Sequence, residues 1–153
     1  MATSTTRLTN HHRPLRRPAP PPAPVRPVTD GEKIARAAGA VGLLGVAVIH
    51  FVDVVDKFHE TAYLGVLYLA LIAACLVAAR HLILVGDRRS WTLAGGLAAA
   101  TFAAYAVSRT VGLPASSDDI GNWAEPLGLA SLFVEGVVVL LSAEMLVRSR
   151  RTG

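Results

Sequence analysis

Four apolar stretches, at about 37–56, 62–85, 91–108 and 126–147, limit what this chain can fold into more than any other feature of its sequence. At about 1.5 Å of rise per residue, helices of roughly 18 to 24 residues match a hydrocarbon core about 30 Å thick. A soluble helix normally keeps one polar face, and four successive stretches without one point to lipid. The expected fold is all-α: a four-helix transmembrane bundle over residues 31–148, preceded by a disordered tail over residues 1–30. With 153 residues, 52% of them hydrophobic and 17% charged, the chain has room for one small bundle and no second membrane domain.

The tail holds the run Pro18-Ala19-Pro20-Pro21-Pro22-Ala23-Pro24 and five arginines, so it lacks the apolar surface to offset its ordering entropy. Arg16-Arg17 is followed by Pro18 and no short apolar core with a cleavage site, so the first span is expected to stay as an anchor. Thirteen of the fifteen Lys and Arg residues lie before the first apolar stretch, in the 80–90 turn or after the fourth span; only Lys57 and Arg109 lie on the other side. That bias predicts a multi-pass protein of the cytoplasmic membrane with both termini in the cytoplasm. It also accounts for the net charge of +4 without nucleic acid, so no nucleic-acid partner is expected. The single cysteine, Cys75, lies inside an apolar stretch and can form neither an internal disulfide nor a cysteine-based metal knuckle.

Chemistry-bearing residues collect at the opposite, outer end. From the first span into the second, His50, Asp53, Lys57 and Glu60 follow a three-four spacing that puts them on one helix face if the helix continues, with Asp56 and His59 beside them. Imidazole and carboxylate ligands suit a divalent transition metal, and His50, Asp53, His59 and Glu60 are the candidate set. The same residues also suit a hydrogen-bonded network that locks the helix ends. Two consecutive histidines in one segment do not supply the facing axial pair of a haem, and His11, His12 and His81 are read as incidental.

The polar segment between spans three and four adds Arg109, Asp118, Asp119 and Glu125. Arg109, placed against the orientation bias, is expected to pair with Asp53, Asp118, Asp119 or Glu125. Ser116 with Asp119 has the spacing of a capping box for a short helix, while Trp91 and Trp123 suit membrane-interface positions. Glu135 lies nine residues beyond Pro126, roughly 13 Å into the fourth span on helical rise. A carboxyl at that depth must be protonated, paired or hydrated in a cavity, and His50 and Tyr105 are the residues expected to approach it. The glycines at 39, 42 and 45 are read as sites of close helix approach.

The segments His50-x-x-Asp53-x5-His59-Glu60-x2-Tyr63-Leu64-Gly65 and Ser108-Arg109-x2-Gly112-Leu113-Pro114-x3-Asp118, continuing through Gly121-x-Trp123-x-Glu125-Pro126-Leu127-Gly128, resemble those of a family of small four-span actinobacterial membrane proteins. The resemblance covers residues 37–147 and implies that these outer-face positions belong together. It brings no activity with it. No catalytic residues are assigned, since the chain has no nucleophile elbow, phosphate loop or dinucleotide fingerprint, and an enzyme is not the expectation. The expectation is a membrane protein whose outer cluster binds a metal ion or a small polar ligand, in sensing or transport. The alternatives are an accessory subunit of a membrane complex and proton-coupled transport through Glu135. Expected partners are the lipid bilayer and either a second copy of the chain or another membrane protein.

Overall fold

The computed structural model describes residues 28–151, so the proline-rich tail, with His11 and His12, lies outside the described residues as far as residue 27. The described residues form four antiparallel helices, α1 (Asp30–Glu60), α2 (Ala62–Leu84), α3 (Arg88–Thr110) and α4 (Pro126–Arg151), each long and apolar enough to cross a membrane. Many large apolar side chains face outward, Phe133 and Leu140 being 73% and 72% exposed, as a bilayer requires and water would penalise.

The helix ends follow from local chemistry. Thr29 accepts from the Glu32 N–H while the Glu32 carboxylate accepts from the Thr29 N–H, a reciprocal capping box that starts α1. At the start of α3 the Asp87 carboxylate accepts from both the N–H and the Oγ–H of Ser90, and these bonds hold its carboxyl below the usual carboxylate range. That cap stabilises the helix above the unfolded carboxyl value of about 3.9 and is lost as pH falls through the lower folded value. Ser90 Oγ also meets His81 Nδ1 at 2.8 Å, so His81, read from sequence as incidental, ties α2 to α3 across their turn.

α1 continues as helix to Glu60, and Thr61 alone separates it from α2. So sharp a reversal requires bare backbone, which Gly65 supplies: a Cβ there would overlap the ring of Phe58. Gly65→Val is therefore expected to cost about 1–3 kcal/mol in detergent unfolding. Phe58→Ala in the same chain should return part of the loss, and an unaltered midpoint for Gly65→Val would contradict this packing.

α1 packs closely on α2 and against α4, α3 packs on α4, and the α2–α3 seam is the looser one. The apolar core lies toward the arginine-rich end and includes Leu43, Val46, Cys75, Leu82, Trp91, Ala94 and Val138. Trp91 corrects an expectation. It is buried at 3% exposure inside the bundle and does not face outward as an anchor would, because Gly39 leaves room for its indole beside Leu82. Toward the other, polar end the facing positions of α2 and α3 carry small side chains, Ala70, Ala74, Ala100 and Ala104 among them, and the core gives way to a cavity.

Candidate functional site

Three helices and a loop build the closed polar end. Lys57 Nζ donates to Glu60 Oε2 at 2.7 Å and reaches Asp119 Oδ2 at 3.4 Å. Arg109, 6% exposed, pairs with Asp119 and lies 3.5 Å from Glu125 Oε2, and its guanidinium stacks 4.7 Å from the centre of the Tyr105 ring. Of the four carboxylates expected for Arg109, the structure selects Asp119 and Glu125. Glu125 has a second role, accepting from the N–H groups of Leu127 and Gly128 at 3.0 and 2.6 Å and so capping α4 behind Pro126.

The loop from 111 to 125 is pinned over this layer. Leu113 and Ser116 exchange two backbone hydrogen bonds of 2.9 Å, with Pro114 and a left-handed Ala115 (φ 57°) between them, the positional pattern of a type II turn. Tyr63 donates to the Pro114 carbonyl at 2.6 Å, and Ser116 Oγ donates to Glu60. The capping box expected from Ser116 and Asp119 is not formed, and the loop holds turns where a short helix was expected. The reason is competition: Glu60 takes the Ser116 hydroxyl, and Arg109 and Lys57 take the Asp119 carboxylate.

Beneath this layer lies a cavity of about 620 Å³, bounded by all four helices. His50, Asp53, Lys57, Tyr105, Arg109, Asp119, Glu125 and Glu135 line it, so most of the sequence-derived candidates share one space. Asp56, His59 and Asp118 do not line it; all three point to the exterior. Glu60 acts from behind the wall through Lys57 and Ser116. His50, Asp53, His59 and Glu60 are not gathered as a metal-ligand set, and among the described residues no group of three or more His, Cys, Asp or Glu side chains is close enough to hold an ion.

Compared with known proteins, the chain matches no family model, no curated protein and no solved structure. The chemistry of the cavity wall is what carries a functional reading.

On that wall, His50 Nδ1 lies 2.9 Å from the Val46 carbonyl. A carbonyl only accepts, so Nδ1 carries the hydrogen, and Nε2 is an acceptor when the ring is neutral. The imidazole also packs 4.8 Å from the Tyr68 ring, and the Tyr68 hydroxyl is within hydrogen-bonding reach of Asp53. Glu135 is fully buried on α4. Its Oε1 accepts from Ser131 Oγ at 2.6 Å, while Oε2 has no partner. Leaving such an oxygen unsatisfied costs about 1–3 kcal/mol, and Glu135 is among the residues that line the cavity.

Sequence reasoning missed Tyr68 and Ser131. Ser131 had a readable signal, a hydroxyl one helical turn before an intramembrane carboxyl. Tyr68 had none, because only the packing of α2 on α1 brings it to His50.

Proposed function

We propose that this chain is a small multi-pass protein of a bacterial cytoplasmic membrane that binds a small polar or amphipathic ligand in the α2–α3 cavity, in sensing or transport. The observation that carries this reading is Glu135, a fully buried carboxyl whose Oε2 has no partner on the wall of a 620 Å³ space. A ligand is favoured over a metal ion because the acceptors on the wall are spread along the cavity and form no coordination set. Leu67, Leu71, Leu97 and the alanines of α2 and α3 offer an apolar body, and the charged residues at one end offer a polar head. The resemblance of the two polar segments to those of small actinobacterial four-span proteins belongs to the same reading.

Ala100→Trp puts a large apolar side chain on the cavity wall and is the direct test. A photoactivatable alkyl probe should label wild-type protein on Leu71 and Leu97, which line the cavity and are partly buried, and Ala100→Trp should lose that labelling while unfolding at an unchanged midpoint. Equal labelling of both proteins at these positions would sink the proposal.

The arginine distribution places the polar end on the extracytoplasmic side in this reading. In a Cys75→Ala background, a membrane-impermeant maleimide should label Ser117→Cys in intact cells and reach Ser149→Cys only after lysis. The reverse order would invert the topology.

A further inference from the structure

Resting on the cavity reading, the charge balance of the wall narrows the class of ligand. The two cations of the polar end, Lys57 and Arg109, are consumed by Glu60, Asp119 and Glu125. Asp53 and Glu135 remain with no Lys or Arg at ion-pair distance among the described residues, and His50 adds an acceptor nitrogen. Arg109 Nε and the Tyr105 hydroxyl are donors without a partner on the same wall, but in charge the carboxyls of Asp53, Asp119, Glu125 and Glu135 outnumber the two cations, so the wall's free capacity is to balance positive charge. An anionic head group would meet unpaired carboxyls and find both cations already engaged.

The shape of the cavity adds a second requirement. Leu67, Leu71, Leu97 and Ala104 supply an apolar lining, and Glu135 is reached only at a depth of roughly 13 Å along α4. A hydrated inorganic cation gains nothing from such walls, whereas a cation carrying a hydrocarbon body gains along its whole length.

We infer that the cavity takes a lipophilic primary amine as its ammonium ion, with the N–H donors on Glu135 and the apolar body between α2 and α3. The ammonium supplies the donor that Glu135 Oε2 lacks.

Three probes of equal length and different charge test this: octylammonium, octanol and octanoate, titrated into detergent-purified protein with protein-free micelles as the reference. Wild type should bind octylammonium roughly 30-fold or more tightly than octanoate, the discrimination expected when one partner of a buried charge pair is missing or mismatched. Glu135→Gln, nearly isosteric, should lose most of that preference and leave octanol binding unchanged, and Ala100→Trp should lose all three ligands. If Glu135→Gln does not fold, the ranking of the three probes on wild type still decides. Octanoate binding as well as octylammonium, or a preference that survives Glu135→Gln, overturns the amine assignment and leaves the cavity reading standing. Binding of none of the three overturns both.

Discussion

Arg109→Met should lower the unfolding free energy of the detergent-solubilised protein by about 3 kcal/mol, the low end of the range for breaking a buried ion pair. The guanidinium is 6% exposed and holds Asp119 and Glu125 together at the top of α4, so its loss leaves Glu125 without a cation and Asp119 with Lys57 alone, at 3.4 Å. The side chains of Asp119 and Glu125 are 24% and 32% exposed, and water recovers part of the cost, which sets the estimate at the low end. Arg109→Lys should recover only part of the stability, because one ammonium cannot span two carboxylates as the planar fork does. The loop should loosen as well, since Asp119 in it loses its Arg109 partner, although the Gly121 N–H still donates to the backbone carbonyl of residue 109 at 2.9 Å. Denaturant titration of the three proteins in one detergent checks this, and an Arg109→Met midpoint equal to wild type would show the pair to be dispensable.

Leu82→Ala is the counterpart at the arginine-rich end and should cost about 2 kcal/mol. Leu82 is fully buried and covers the bare backbone of Gly39 beside Trp91, so truncation opens a void where α1 and α2 meet. Lipid tails are as apolar as leucine, so the loss comes from packing contacts more than from transfer out of water, and the lower end of the usual range applies. The two variants separate stability from function. Leu82 does not line the cavity, so Leu82→Ala should unfold earlier yet bind the octyl probes like wild type.

The four helices were legible in the sequence because a bilayer imposes length and apolarity on every spanning segment, whatever it packs against. The three-four spacing of His50, Asp53 and Lys57 was legible for a similar reason: continuation of α1 to Glu60 puts them on one face, and all three line the cavity. What the sequence left open is which helices are neighbours. Helices apolar on all sides carry no stripe to mark their inward face, so neither the loose α2–α3 seam nor the meeting of Tyr68 with His50 can be read from periodicity. Trp91 illustrates the same limit. Its position at the start of a span suits an interface anchor, and only the glycine opposite turns it into a core residue. Ser116 shows a local motif overruled by a distant partner, since Glu60, 56 residues away, takes the hydroxyl that a capping box would use.

The central claim is that the α2–α3 cavity holds a ligand, and native mass spectrometry of the protein gently extracted from its own membrane tests it most directly. Wild type should carry a small-molecule adduct that Ala100→Trp, purified in parallel, does not. Identical spectra for the two proteins, with or without an adduct, would contradict it.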